Sequence, residues 1–248
     1  MKEERPVFYT VRFAIIALLC ALIIFVLGIA FTSYVKERNS TTSLPVFNEN
    51  EKVRFVIDAG HGGEDAGAIA SDGTLEKDLN LDIAKLLKVI LELNGNEAVL
   101  TRESDTLLYD YYNDLEDYTG KKKVYDLKNR LKIAEEKENS VYVGIHMNKF
   151  VEPQYSGLQV YYSGANDLSY AIATDIKNTV KSNLQPQNNR NIKRADSSIY
   201  ILNKAEIPAV LIECGFLSNE RELELLKSED YKKALAINLF ASLVKYGN

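Results

Sequence analysis

The chain contains two histidines, and each closes an apolar run. His61 follows Phe55-Val56-Ile57-Asp58-Ala59-Gly60, and His146 follows Val141-Tyr142-Val143-Gly144-Ile145. Such runs read as buried strands, and open α/β sheets gather their ligands beyond the carboxyl ends of strands. One histidine in such a place is more often a hydrogen-bonded loop residue than a ligand. Two carboxylates change that reading. Glu76 falls on the helical stripe of Leu79, Ile83, Leu86 and Ile90, so its carboxylate points inward from the first turn, where a buried charge needs a partner. The alternative, an acid that favours the helix N-terminus, leaves its position on the apolar face unexplained. Glu213 ends a further apolar run, Pro208-Ala209-Val210-Leu211-Ile212, and taken alone reads equally as a buried salt-bridge partner. Together, two imidazoles and two carboxylates at converging strand ends supply three metal ligands and one acid/base, the complement of a hydrolytic zinc site.

Other chemistries find less in the same residues. The loop Gly60-His61-Gly62-Gly63-Glu64-Asp65 lacks the third glycine of a dinucleotide fingerprint, and the chain has neither a Walker lysine-serine pair nor a Gly-x-Ser-x-Gly elbow. Its glycines read as room for a metal and a bulky substrate at the strand end. Cys214 ends an apolar strand, where a thiol is inert packing rather than a nucleophile. Cys20 lies in a separate apolar segment, so the two cysteines do not form a disulfide.

These four residues need a scaffold that brings distant strand ends together. From Val53 onward, strand-like runs alternate with amphipathic helical patterns, which predicts a three-layer α/β domain with a largely parallel sheet. The predicted strands are Val53 to Ile57, Glu97 to Thr101, Val141 to Ile145, Leu158 to Tyr162, Ile199 to Leu202 and Ala209 to Ile212. Helices are predicted from Thr74 to a stop at Gly95, and over Leu127 to Lys137, Leu168 to Leu184 and Tyr231 to Tyr246. Asn219 and Glu222 read as a capping pair for a short helix. The acidic, tyrosine-rich stretch Thr106 to Tyr125 reads as a surface excursion.

Length and composition agree with one globular domain plus an extension: 248 residues, of which 46% are hydrophobic. A formal charge of −5, with lysines scattered among acids, argues against a nucleic-acid partner. Residues 13–35 carry no charge, and a helix of about 23 residues is roughly 35 Å long, enough to cross a hydrocarbon core. This run is longer than a signal-peptide core, so it reads as an uncleaved anchor after a cytoplasmic tail at 1–12, against the competing reading of a signal peptide cleaved at the small residues Gly28 and Ala30. Residues 36–52 form a polar linker, and 53–248 the catalytic domain, which the anchor places outside the cytoplasm.

The motifs Ile57-Asp58-Ala59-Gly60-His61-Gly62-Gly63, Leu75-Glu76-Lys77-Asp78, Thr101-Arg102-Glu103-Ser104-Asp105, Gly144-Ile145-His146-Met147-Asn148 and Leu211-Ile212-Glu213-Cys214-Gly215-Phe216-Leu217-Ser218-Asn219 occur in fixed order. In this the chain resembles the zinc-dependent N-acetylmuramoyl-L-alanine amidases of the AmiC/CwlD type, from Val53 to the C-terminus. The resemblance implies a six-stranded sheet between helices, one zinc ion held by His61, Glu76 and His146, and catalysis by Glu213 on the amide between N-acetylmuramic acid and L-alanine. The family often has Val at Cys214 and Pro at Ala59; neither change touches an implied ligand.

The anchor, the compact size and the absence of wall-binding repeats look most like the germination-specific subgroup. That likeness implies stripping of stem peptides from spore cortex in the forespore intermembrane space, before a separate deacetylase makes muramic-δ-lactam. Some such amidases also need an activating protein partner. Arg190, Lys193 and Arg194 are candidates for binding stem carboxylates, against the alternative of solvated surface charge. A vegetative autolysin and a non-catalytic peptidoglycan-binding scaffold are the competing readings.

Overall fold

The structure, a computed structural model, describes residues 52–247 together with 18–19, 22–23 and 25–28. Those few residues of the predicted anchor are helical with exposed apolar side chains such as Leu18 and Phe25. The rest of the 13–35 anchor, the 1–12 tail and nearly all of the 36–52 linker lie outside the described residues. Among the described residues, no helix is long and apolar enough to cross a membrane.

The domain runs β1 (Arg54–Ala59), α1 (Glu76–Leu93), β2 (Glu97–Leu100), α2 (Lys122–Ala134), β3 (Ser140–Asn148), β4 (Gln159–Tyr162) and α3 (Asp167–Asn183). It continues through β5 (Lys193–Arg194), α4 (Tyr200–Lys204), β6 (Ala209–Phe216), α5 (Glu220–Lys227) and α6 (Glu229–Leu243), which ends in a short 3₁₀ turn, Val244–Tyr246. The six strands form one sheet in the order β2-β1-β3-β6-β4-β5. β2, β1, β3 and β6 are parallel, whereas β4 runs antiparallel to β6 and β5 parallel to β4.

The sheet is covered on both sides. Every residue of β1 is buried, which is why Phe55, Val56 and Ile57 form an unbroken apolar run rather than an alternating one. Phe55, Ile57, Val143 and Ile145 face the layer made by α1, α3 and α6, to which α1 contributes Leu79, Ile83 and Leu87. Val56, Tyr142 and Ala209 face the opposite layer, with Ile133 of α2 and Ile201 and Leu202 of α4. Helix α1 stops where Gly95 takes φ +80, a conformation that ends helices without a Cβ penalty.

Two expectations need correction. Ile199 to Leu202 is not a strand; Tyr200 starts the five-residue helix α4. A short apolar run fits a buried helical turn as well as a strand, and here Ile201 and Leu202 fill the second core. The sixth strand is instead Lys193–Arg194, whose residues are both exposed and so carry no apolar signal. Helix α2 starts at Lys122 and ends at Ala134, earlier at both ends than the predicted Leu127 to Lys137. The excursion before it has no regular element up to Lys121, yet Leu108 and Tyr118 are buried. Asn219 does cap α5, accepting from the Glu222 amide at 3.2 Å. The Glu222 carboxylate does not reach back; it takes the Phe216 and Gly157 amides instead.

Candidate metal centre and its cleft

Four side chains converge at the carboxyl end of the parallel strands. His61 lies two residues past β1, His146 is in β3, Glu213 is in β6, and Glu76 is the first residue of α1. His146 and Glu213 are register partners on adjacent strands, so their side chains share one face. Glu76 Oε1 stands 3.3 Å from His61 Nε2 and 3.1 Å from His146 Nδ1. One ligand atom from each of His61, Glu76 and His146 falls within 4.8 Å of the others.

Glu76 does not cap its own helix, since no side chain bonds at the Leu75 cap. Its carboxylate accepts from the Ala68 amide at 2.7 Å and the Met147 amide at 3.0 Å, so it ties the β1–α1 loop to β3. Burial would raise this carboxyl, but hydrogen bonds and charge from His146 and His61 outweigh it and hold the group ionised well below the usual carboxylate range. His61 is the converse case. Burial opposes its protonation, while Glu76 and Asp65 overcome that and raise its affinity for a proton. Asp65 Oδ2 lies 3.0 Å from His61 Nδ1 and so orients the ring with Nε2 toward Glu76.

This donor set fits a metal ion. It offers two imidazoles and one ionised carboxylate, with a carboxylate behind one imidazole, the arrangement that fixes ring orientation in metal sites. The packing around it leaves no slack. A Cβ on Gly60 would come within 2.2 Å of the His146 ring, so glycine there makes room for the imidazole. Gly62 does not serve a ligand in this way, contrary to its sequence reading: a Cβ there would meet the Thr106 carbonyl at 2.2 Å, at a φ of +138. His61 itself takes φ +64, a left-handed conformation that costs a non-glycine residue about 1–3 kcal/mol.

Glu213 differs from Glu76 in having no partner at Oε2, which is buried. Burial pushes its carboxyl up to about 7; His146 and His61 oppose the rise, and Glu76 adds to it. A carboxyl of that affinity exchanges protons near neutrality, as a general acid/base must. It opens on a cleft of about 590 Å³ that also exposes His61, His146, Tyr161, Lys193 and Arg194. Lys193 and Arg194 thus lie at the cleft. Arg190 does not line it: its Nε donates to the Ser156 carbonyl at 2.8 Å, and its guanidinium lies 4.4 Å from the Phe216 ring centroid. Cys214 is fully buried, and burial pushes its thiol further from ionisation, so it is packing.

A largely parallel sheet that carries this donor set and a buried glutamate at its carboxyl edge has the form of an α/β-fold hydrolase with a candidate metal site. The chain belongs to the Amidase_3 family, N-acetylmuramoyl-L-alanine amidase, whose pattern matches residues 55–245. Its activity is accordingly hydrolysis of the N-acetylmuramoyl-L-alanine amide of peptidoglycan. It is 33% identical over 190 residues to the germination-specific N-acetylmuramoyl-L-alanine amidase of Bacillus subtilis, covering 77% of this chain and 78% of that protein. The structure of the CwlD amidase from Clostridioides difficile in complex with the GerS lipoprotein superposes with a TM-score of 0.73 at 38% identity, covering 79% of this chain and 98% of that one. The amidase AmiC2 of Nostoc punctiforme gives 0.65 at 34% identity, over 79% and 97% of the two chains.

Sequence reasoning missed Asp65, Asp58 and Arg130. Asp58, a β1 residue, is 1% exposed and pairs with Arg130 of α2 at 2.6 Å. Burial would raise its carboxyl, but Arg130, Thr101 and Tyr142 outweigh it and hold it below the ordinary range. Asp65 stands four residues after His61, a spacing visible in the sequence; the Asp58–Arg130 pair left no such local sign.

Proposed function

We propose that this amidase works with one zinc ion held by His61, Glu76 and His146, with Glu213 as its acid/base, and that it strips stem peptides from spore cortex peptidoglycan. The observation that carries the zinc assignment is Glu76, a buried ionised carboxylate whose Oε1 faces both imidazoles. Zinc held there would supply Lewis-acid chemistry, activating water near neutral pH and stabilising developing oxyanion charge. Glu213 takes the proton of the attacking water and delivers it to the L-alanine amine as the amide breaks. Its burial beside the cleft leaves it free for both transfers, because no protein donor occupies Oε2. Asp65 keeps the His61 ring in its liganding orientation. Arg194, with its neighbour Lys193, meets the stem carboxylates where the cleft opens.

The cortex role rests on likeness to the germination-specific amidase of Bacillus subtilis and to the Clostridioides difficile CwlD amidase. The latter's complex with the GerS lipoprotein supports a protein partner here too. In this reading residues 13–35 anchor the chain in the cytoplasmic membrane, with the catalytic domain in the forespore intermembrane space. Its product would feed a deacetylase in muramic-δ-lactam formation. Muropeptide analysis of spores lacking the protein tests this directly: muramic-δ-lactam should disappear, and an unchanged content removes the cortex role.

A further inference from the structure

Arg102 comes from a motif, Thr101-Arg102-Glu103-Ser104-Asp105, to which the reaction assigns no task. It lies just beyond β2 and is 2% exposed, yet no carboxylate pairs with it among the described ion pairs. Its hydrogen bonds go to main-chain carbonyls. Nε donates to Ala59 at 2.8 Å and Nη1 to Ser104 at 3.0 Å, while Nη2 donates both to Gly60 at 3.1 Å and to Lys77 at 2.7 Å. Gly60 immediately precedes His61, and Lys77 immediately follows Glu76. One guanidinium nitrogen therefore bridges the chain beside one candidate ligand to the chain beside the next.

Arg130 completes the arrangement from the other side. Its Nη1 donates to Ala59 at 2.9 Å and its Nη2 to His61 at 2.7 Å. Three successive carbonyls, Ala59, Gly60 and His61, are thus fixed by two rigid planar forks, and His61 is the residue held in the left-handed conformation. Orienting consecutive peptide planes sets the direction of the His61 side chain. Sharing Nη2 with Lys77 sets its distance from Glu76.

We propose that Arg102 is a positioning residue for the metal site: it fixes the spacing between His61 and Glu76, and Arg130 supports it by holding the His61 carbonyl. A lysine at either position keeps the charge but cannot span these carbonyls. The inference rests on the zinc reading above.

The test uses the purified full chain, Arg102→Lys and Arg102→Gln. Zinc affinity is measured by competition with a chelating dye, with the absorption spectrum of the cobalt-substituted protein and the unfolding of the metal-free protein alongside. Lost spacing should weaken zinc binding by about 10- to 100-fold and alter the cobalt spectrum, as removal of partners behind metal ligands does. Metal-free unfolding should change much less than the zinc-induced rise in Tm. Zinc affinity and cobalt spectrum matching the parent in a folded variant would overturn the proposal. So would failure of both variants to fold, which assigns Arg102 to the fold alone. A parent that takes up no zinc removes the zinc reading itself, whereas a parent that binds it no better than its variants removes only the spacing role.

Discussion

His146 on β3 and Glu213 on β6 are register partners, and they sit on opposite sides of a functional division. The imidazole is drawn toward Glu76, 3.1 Å away, while Glu213 Oε2 has no protein partner. On the proposed assignment, adjacent strands thus offer one group to the ligand set and one group for proton transfer.

Glu213→Gln should retain the metal and lose hydrolysis of muropeptides. General acid/base catalysis contributes about 10²–10⁴-fold, so kcat should fall by at least that lower bound. Parent-like turnover with parent-like zinc content would falsify the acid/base assignment.

His146→Ala should lower zinc content in elemental analysis of purified protein, and chelation of the parent should abolish activity that added zinc restores. Unchanged stoichiometry in the variant contradicts the ligand set.

Burial places the Glu213 carboxyl at about 7, above its unfolded value, so the metal-free fold binds that proton more tightly than the unfolded chain does. Its contribution to stability is complete below the unfolded pKa and is lost as pH rises through about 7. The Tm of metal-free parent should fall more steeply over this interval than that of Glu213→Gln. Parallel curves would show that the carboxyl is not both buried and unpartnered in solution.

Gly60→Ala should damage the site through packing alone, because its Cβ would lie 2.2 Å from the His146 ring. Overpacking of this kind costs about 1–3 kcal/mol. Reduced zinc content together with a lowered Tm is expected; a variant that binds zinc normally would mean that the ring has room to move.

Lys193→Ser with Arg194→Ser should raise KM for a tripeptide muropeptide a few-fold with little effect on kcat, since exposed charge pairs contribute about 0.2–1 kcal/mol each. Arg190→Gln should instead lower thermal stability and leave KM alone, in keeping with its bond to Ser156 and its place over Phe216. The reverse pattern would exchange the two roles.

Much of the site could be read from sequence because its members interrupt strong periodic patterns. Glu76 stands where a helix otherwise buries leucine and isoleucine, and His61, His146 and Glu213 each follow an apolar run in the sequence. The supporting charges were hidden for the opposite reason. Asp58 and Arg130 are 72 positions apart, and only the packing of α2 on β1 joins them. The same physics misdirected the reading of the sixth strand: Lys193–Arg194 is held by pairing with Tyr161 and Tyr162 and buries neither of its own residues, whereas Ile199 to Leu202 is apolar because it enters a helical turn whose Ile201 and Leu202 pack into the core.

The sheet order carries a consequence for how the enzyme comes into being. β6 is the last strand of the chain, yet it lies inside the sheet, between β3 and β4. Pairings of such long sequence separation form late, after the loop-closure entropy of the intervening chain has been overcome. A chain still emerging, or cut short before Ala209, holds both histidines and Glu76 but lacks the strand that delivers Glu213. On the proposed assignment of Glu213 as acid/base, a wall-degrading enzyme with this topology lacks its proton-transfer group until the final strand is inserted between two that are already made.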